Sequence, residues 1–263
     1  MPRKKGSGEG HIRRRSDKRW EAQISVGGNK RRSIYGKSRA EVSKKMKEIL
    51  VSLDNGTYQE PSRLTVSEWM NEWLTTFCAN SVKPLTLSAY QSAIRNHIAP
   101  SIGGVKLQSV RGTHIQKLYN SMTEKGMSAK TVKNVAAILH KSFSVAIKQG
   151  LVQSNPCDAA ELPKGSKKEI KPLSDSEIPL FLAEIEQEPF RNAFALCLFA
   201  GLRRSECLGL SWDSVDFEAQ EITIHQQLQE STALKKYVIV GSTKSGKART
   251  IKPPAIAFDY LRA

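Results

Sequence analysis

Near the N-terminus, apolar and polar residues alternate in three short segments, at residues 11–15, 19–26 and 30–35. Alternation with a period of two predicts β-strands. The middle segment carries apolar side chains on one face, namely Trp20, Ala22, Ile24 and Val26. Gly27-Gly28-Asn29 is typical of the hairpin turn that precedes a third strand. The pattern therefore predicts a small three-stranded sheet.

The period then changes to that of a helix. Ser38 is the expected N-cap, Glu41 completes a capping box, and Asn55-Gly56 ends the segment. The helix has an apolar stripe formed by Val42, Met46, Ile49, Leu50 and Leu53. We expect it to pack on the sheet and to complete a first domain, residues 1–58.

Four amphipathic segments follow over about 90 residues. Their predicted N-termini are Thr65 with Glu68, Lys83-Pro84, Thr113 with Gln116, and Ser128. Their apolar stripes are expected to face inward, and the stripe of the fourth helix extends to Ile147. The second helix is expected to end at Pro100 and Gly103-Gly104. Trp69 and Trp73 belong to the first stripe and are predicted to be core residues. The pattern predicts a helical domain, residues 64–163.

A polar, basic linker at residues 162–169 separates a third domain, residues 172–263. Ser174 and Glu177 form a capping-box pattern, and a helix over about residues 190–200 is apolar nearly all round, which predicts that it is buried. Strands are predicted at 221–225 and 237–240, with a hairpin tip at Gly246. The fold class expected is therefore α+β and multidomain.

The net charge of +16 and the pI near 9.8 favour nucleic acid as the partner, ahead of an anionic membrane. No apolar run reaches the roughly 20 residues of a membrane span, and no secretory signal opens the chain. The four cysteines are far apart and form no C-x-x-C pair. We read them as reduced thiols of a cytoplasmic protein, and we expect no metal site, disulfide or cofactor.

Arginine supplies the candidate chemistry. Arg203 directly follows an apolar run that ends at Gly201, and a rigidly held guanidinium matches phosphate oxygens bidentately. The alternative is a helix end with solvated arginines. On the exposed face of the N-terminal sheet we expect DNA contacts from Arg13, Arg15, Arg19, Lys30 and Arg32, the alternative being a solvated charged face. On the helical domain the candidate contacts are Lys83, Arg95, Lys130 and Lys133.

Residues 201–212, Gly-Leu-Arg-Arg-Ser-Glu-Cys-Leu-Gly-Leu-Ser-Trp, resemble the first active-site box of the tyrosine recombinases, or phage integrases. The resemblance implies that Arg203 is a catalytic arginine and that Glu206 braces it; Cys207 replaces the usual leucine. Lys244, five residues before Arg249, resembles the family's hairpin lysine, which donates a proton to the leaving 5′ oxygen; the alternative is a solvated turn lysine. In this family a tyrosine forms a 3′-phosphotyrosyl link with no required metal.

The first two domains resemble the arm-binding domain of conjugative-transposon and phage integrases and the family's core-binding domain. The implied partner is double-stranded DNA at the core and arm sequences of an attachment site, with self-assembly on DNA. Two open alternatives are a stand-alone DNA-binding regulator of excision or transcription, and an RNA-binding protein.

The chain departs from the family pattern after Lys244. The single His-x-x-Arg lies at residues 11–14, and Tyr260 comes too soon to be assigned as the nucleophile. We therefore expect a C-terminally truncated recombinase, with no nucleophile in the chain, that binds DNA without cleaving it. We also expect uncovered apolar surface in the third domain.

Overall fold

The computed structural model describes residues 10–27, 30–56, 58–165, 169, 171–231, 236–241 and 247–262. The fold is mixed, with about half of the chain helical and with small antiparallel sheets. The chain divides into two compact units, residues 1–82 with 90–165 and residues 83–89 with 166–263. Within the described part, no helix is long and apolar enough to cross a membrane.

The first unit begins with an antiparallel sheet of β1 (His11–Arg14), β2 (Trp20–Ser25) and β3 (Arg31–Gly36), in that order. Helix α1 (Arg39–Asp54) packs on one face, and Ala22, Ile24 and Val42 are fully buried between them. The predicted sheet and helix are confirmed. Gly28 and Asn29 of the predicted turn lie outside the described residues, and the Val26 N–H donates to the Lys30 carbonyl at 3.0 Å across them.

The start of α1 differs slightly from the predicted capping box. The Ser38 hydroxyl accepts the Glu41 N–H at 3.2 Å, as expected for an N-cap. The Glu41 carboxylate, however, accepts the N–H of Lys37 at 2.9 Å, one residue earlier than a capping box requires. The helix therefore has the predicted N-cap, but the returning hydrogen bond is displaced by one residue.

The rest of the first unit is helical. Its elements are α2 (Val66–Glu72), a π-helical continuation (Trp73–Cys78), α3 (Pro84–Ala93, whose first turns belong to the second unit), a second π-helical stretch (Ile94–Ile98), α4 (Ala99–Ile102), α5 (Gly112–Glu124) and α6 (Ala129–Lys148). Short 3-10 turns lie at Leu107–Ser109 and Pro156–Ala159. The predicted Thr65–Glu68 capping box is present in full.

Trp69 and Trp73 are core residues, as predicted, together with Tyr119, Leu139 and Phe143. The indole N–H of Trp69 donates to the buried Ser142 hydroxyl at 3.1 Å, which in turn donates to the Met70 sulfur at 2.9 Å. A buried indole N–H needs such an acceptor, because an unpaired buried donor costs free energy.

Three local predictions in the helical part were wrong. Helix α5 begins at Gly112, because the Arg111 N–H donates to His114 Nδ1 at 3.1 Å, so Thr113 lies inside the helix. Pro100 does not end a helix: the backbone stays helical from Ile94 through Ile102, and the helix ends at Gly103, the other part of that prediction. Ile147 is exposed, because it lies on the outer side of the last turn of α6.

The segment that follows α1 is attached to the helical part by one side chain. The Gln108 amide oxygen accepts the Ser62 N–H at 2.9 Å. Its amide nitrogen donates to the Glu60 carbonyl at 2.9 Å and to the Leu151 carbonyl at 3.3 Å. Gln108 therefore fixes residues 60–62 against the helical bundle.

The second unit contains α7 (Glu177–Ile185), α8 (Arg191–Ala200), α9 (Arg204–Cys207), a 3-10 turn (Trp212–Ser214), β4 (Val215–Asp216), β5 (Glu221–Ile224), β6 (Gln227–Ser231), β7 (Lys236–Val240), β8 (Arg249–Ile251) and α10 (Ala255–Arg262). Antiparallel β4, β5 and β8 form one sheet, and β6 and β7 form another. Both predicted strands are confirmed. The core consists of Leu196, Leu202, Cys207, Ile222, Ile224, Ala257 and Phe258.

Helix α8 is less buried than its composition predicted. Ala195 and Leu196 are buried, but the Phe194 side chain is 44% exposed. The prediction of a fully buried helix is therefore wrong for the described residues, because the core covers one side of α8 only. Other large apolar side chains of this unit are also exposed, among them Leu180, Phe190, Trp212, Tyr237 and Ile239.

The capping pattern before α7 is also only partly formed. Glu177 accepts the N–H of Ser174 at 2.8 Å and its hydroxyl at 2.7 Å. The helix begins at Glu177 itself, with Ser176 as its N-cap, so this carboxylate binds Ser174 in the preceding turn rather than the N-cap residue.

Candidate phosphate site and nucleic-acid interface

The turn between α8 and α9 carries Arg203 to the surface. Gly201 ends α8 with φ of +62°, a left-handed conformation that glycine adopts without strain. Leu202 then packs into the core, which fixes the backbone on one side of the turn. Arg203 is the N-cap of α9, and its side chain is 58% exposed. The local sequence thus places a guanidinium on a rigid support with much of its surface open to solvent.

A buried carboxylate holds this guanidinium. The Glu206 side chain is 1% exposed. Its oxygens accept the Arg203 backbone N–H at 3.0 Å and Arg203 Nη1 at 2.7 Å. They also accept Arg249 Nη1 at 3.0 Å and Nη2 at 2.7 Å, a bidentate pair. The hydrogen bonds from Arg249, followed by those from Arg203, lower the pKa of Glu206 to about 2.

Sequence reasoning missed the role of Arg249, which it used only as a spacing marker for Lys244. Arg249 lies 43 residues after Glu206, and the antiparallel pairing of β8 with β5 brings it there, with Arg249 opposite Ile224. The sequence feature that could have identified Arg249 is a basic residue at the start of a strand that follows the arginine box. Lys244 itself lies outside the described residues.

Tyr260, which the sequence did not favour as a nucleophile, is partly buried in α10. Its ring stacks on the ring of Phe199 in α8, with 6.3 Å between the centroids. This packing gives Tyr260 a structural role.

Cys207, the residue that departs from the family pattern, is also packed inward. Its thiol lies 3.6 Å from the Ala193 carbonyl, and burial raises the pKa of the thiol to about 12.

The N-terminal sheet presents a second arginine cluster on the face opposite α1. Glu21, only 2% exposed, lies at its centre and binds Arg13 Nε at 2.9 Å and Nη2 at 2.8 Å. The Tyr35 hydroxyl donates to Glu21 at 3.2 Å, and Arg15 lies 5.6 Å above the Tyr35 ring. The hydrogen bond from Arg13 is the main reason that the pKa of Glu21 is lowered to about 2. Arg19, further along this edge, binds Asp17 at 2.8 Å.

Two of the five basic residues predicted for this face lie elsewhere. The sheet register places Arg32 opposite Ile24, whose side chain belongs to the core face, and Arg32 contacts the Tyr58 hydroxyl at 3.3 Å. Lys30 binds Glu60 at 3.1 Å in the same following segment. The prediction that both join the outer face is therefore wrong. Arg31, which was not predicted, pairs with Ser25 and occupies that face.

The basic residues predicted on the helices, namely Lys83, Arg95, Lys130 and Lys133, are all exposed. Lys130 and Lys133 lie on α6, a helix of 20 residues whose sequence contains no Asp or Glu. At helical spacing further along α6 are Lys141, whose ammonium lies 5.6 Å from the Tyr90 ring, and Lys148. One surface of this helix therefore carries positive charge along its whole length.

The charge of the chain is unevenly distributed. Residues 1–58 contain 16 basic and 6 acidic residues, or +10, and residues 64–163 contain 10 and 5, or +5. Residues 164–263 contain 14 and 13, which leaves +1. Long-range attraction of a polyanion therefore comes mainly from the first two segments, whereas the Arg203 cluster contributes local geometry. Among the described residues, no group of three or more His, Cys, Asp or Glu side chains is arranged to hold a metal ion.

Comparison with known proteins gives one family and a consistent set of relatives. The family described as "Phage integrase, N-terminal SAM-like domain" matches residues 65–123. A "Tyrosine recombinase XerC-like" of Caldanaerobacter subterraneus subsp. tengcongensis is 28% identical over 246 residues, which are 88% of this chain and 63% of that protein. An integrase of Saccharopolyspora erythraea is 24% identical over 225 residues, 82% of this chain and 52% of that protein. The chain thus spans between about half and two thirds of these two relatives.

Solved structures show the same fold. The Tn1549 transposon integrase in complex with a circular intermediate DNA aligns with a TM-score of 0.68 at 23% identity, over 76% of this chain and 64% of that one. A lambda integrase dimer bound to a COC′ core site aligns with a TM-score of 0.53 at 20% identity, over 68% of this chain and 60% of that one. These structures show the shared fold, and the match at residues 65–123, the two relatives and the box formed by Gly201, Leu202, Arg203 and Glu206 support the chain as a member of the tyrosine recombinase, or phage integrase, family.

Proposed function

We propose that this chain takes part in site-specific DNA recombination, integrating a mobile element or prophage through binding of double-stranded DNA. Its relatives are named integrase and tyrosine recombinase, and its structural neighbours are integrases bound to DNA. The main observation in support of the proposal is that Glu206 fixes one end of the Arg203 guanidinium while the other end is open to solvent. That arrangement suits a phosphate oxygen.

The proposed roles of Arg203 and Glu206 follow from this geometry. Arg203 binds a non-bridging oxygen of the scissile phosphate and stabilises the negative charge that develops in the transition state. Glu206 orients Arg203 and binds no substrate itself. Lys244, by resemblance alone, protonates the leaving 5′ oxygen as a tyrosine forms the 3′-phosphotyrosyl bond. We assign the nucleophile to no residue of this chain.

We propose three DNA-related segments, with the boundaries 1–58, 64–163 and 172–263. In the first, the outer face of the sheet contacts arm-type DNA through Arg13, Arg15, Arg19 and Arg31, while Lys30 and Arg32 bind the following segment. In the second, Lys83, Arg95, Lys130 and Lys133 contact core DNA. The third carries Arg203, Glu206 and Lys244. The proposed setting is the cytoplasm, with several copies assembled on one attachment site.

A salt titration tests DNA binding. The affinity for a duplex carrying the ends of the element should fall steeply as salt rises, because each phosphate contact releases counterions. Arg203→Gln should reduce the slope of log K against log salt by about 1, as expected for one lost contact. Arg191→Gln is the matched control, because Arg191 forms a surface ion pair with Glu186 in the same unit. A flat salt response of the unaltered chain would contradict the proposal.

Strand cleavage separates the recombinase from a second candidate, a stand-alone DNA-binding regulator of excision or transcription. The concentration of +15 of the net charge within residues 1–163 favours a role in binding alone. A nicked suicide duplex followed by a denaturing gel tests for cleavage. A covalent protein–DNA adduct would support an active recombinase and contradict our assignment of no nucleophile to this chain, whereas band shifts on the same DNA without an adduct would support DNA binding alone.

A further inference from the structure

Three charged side chains share one site in the second unit. Glu206 carries one negative charge and is buried, while Arg203 and Arg249 each carry a positive charge and are 58% and 36% exposed. A single carboxylate therefore meets two guanidiniums. One positive charge of this cluster remains unbalanced, and the distances show which guanidinium is more tightly held.

The Arg249 side chain forms more hydrogen bonds to the Glu206 carboxylate than the Arg203 side chain does. Its two terminal nitrogens bind both Glu206 oxygens, at 3.0 and 2.7 Å, in the parallel geometry of a bidentate pair. The Arg203 side chain reaches only one of these oxygens, through Nη1 at 2.7 Å. Arg203 is also the more exposed of the two. The charge left for an incoming anion therefore lies on Arg203.

The location of Arg249 supports a fixed geometry. Arg249 is the first residue of β8 and pairs with Ile224 of β5. Ile224 and Ile222, which lie on the same face of β5, are core residues. Glu206 lies on α9, whose Cys207 also packs into that core. The Arg249–Glu206 pair thus joins two elements of one packed layer, and Arg203 is oriented from that pair.

We propose that Arg249 is a positioning residue, which neutralises and fixes Glu206 so that Arg203 keeps its positive charge for a DNA phosphate; this rests on the proposed function. Without Arg249, Arg203 is the one cation left beside the buried carboxylate. Because an unpaired buried charge is costly, Arg203 then turns both of its terminal nitrogens toward Glu206. The resulting pair is neutral and no longer binds phosphate.

The first test measures Arg203 directly and needs no DNA. The full chain is treated with phenylglyoxal, which modifies accessible arginines, and mass spectrometry follows the modification of Arg203. In Arg249→Gln we expect this modification to slow several-fold. In the double variant Glu206→Gln with Arg249→Gln it should return at least to the original rate, because no carboxylate remains to hold Arg203. An unchanged rate in Arg249→Gln would overturn the inference.

The second test uses the salt dependence of binding to a duplex of about 30 base pairs. Arg249→Gln should reduce the slope by about 1, as Arg203→Gln does, and the double variant with Glu206→Gln should restore it. If the slope stayed low in that double variant, Arg249 itself would be the phosphate contact, and the inference would be wrong. Far-UV circular dichroism of each variant verifies that it is folded.

The two tests separate this inference from the proposed function. If Arg203→Gln left the salt slope unchanged while phenylglyoxal gave the expected pattern, the role in DNA binding would fail and the positioning of Arg203 would stand. If Arg203→Gln reduced the slope and Arg249→Gln changed neither readout, the DNA-binding role would stand and the positioning role would be refuted.

Discussion

The replacement Glu206→Gln is the most informative test of how the second unit is held together. Glutamine keeps the size of the side chain but removes the charge that binds Arg203 and Arg249. One amide oxygen can still accept an N–H, whereas the amide nitrogen is a donor and faces donors. The variant therefore loses at least one side of the bidentate pair with Arg249, and it leaves two like charges close together.

The size of the effect follows from the pKa of Glu206, which is lowered from 4.5 to about 2 in the folded chain. Such a shift corresponds to about 3 kcal/mol of stability at pH 7. Because the folded pKa is the lower one, this stability is present above pH 4.5 and is lost as the pH falls toward 2. At pH 3 we expect about 1 kcal/mol to remain.

The assay must report on the second unit alone, because the chain contains two units. Urea denaturation followed by pulsed hydrogen–deuterium exchange and mass spectrometry does so through peptides from α8 and β5. The exposed Glu184, on α7 of the same unit, provides the matched control Glu184→Gln, which should change the free energy of unfolding by less than about 0.5 kcal/mol. Both variants are compared with the unaltered chain at pH 7 and pH 3.

Two results would refute this reasoning. A loss below about 1 kcal/mol at pH 7 would mean that the cluster behaves like an exposed ion pair despite the burial of Glu206. A loss of equal size at pH 7 and pH 3 would mean that packing of the side chain, rather than its charge, is responsible.

Three further predictions concern other parts of the chain. Ser142→Val leaves the buried indole N–H of Trp69 without its acceptor and should lower the free energy of unfolding of the first unit by about 1–3 kcal/mol in urea titrations. Gly201→Ala places a Cβ in open space but at φ of +62°, so thermal denaturation should show a loss of about 1 kcal/mol, caused by backbone strain alone. Arg13→Gln should reduce the salt slope of DNA binding by about 1, whereas Arg32→Gln, on the other face, should leave it unchanged.

Local patterns in the sequence were sufficient for much of the fold. Trp69 and Trp73 recur at the spacing of one helical face, and that face is the one buried in the structure. The N-caps Ser38, Thr65 and Ser128 were likewise identified from their own side chains, because capping depends on residues within one turn. Where the determining contact is local, the sequence contains the information needed.

The remaining features depend on register or on distant neighbours. Arg31 and Arg32 are adjacent, and which of them faces outward is set by the pairing of β3 with β2, since a shift of one residue exchanges the two faces. Helix α8 has an apolar composition on all sides, but burial depends on what packs against it. The contact between Arg249 and Glu206 requires the β5–β8 pairing, which no local pattern specifies.

The anchoring of residues 60–62 by Gln108 has a consequence for the chain as a bivalent ligand. Only about seven residues separate the end of α1 from the anchored Ser62, and part of this tether is also bound to the sheet through Lys30–Glu60 and Arg32–Tyr58, within one compact unit. A tether this short keeps the effective concentration of one binding module near the other high. Under the proposed function, the second module then engages DNA in an intramolecular step. Lengthening this tether should therefore weaken overall avidity, although no residue that touches DNA has changed.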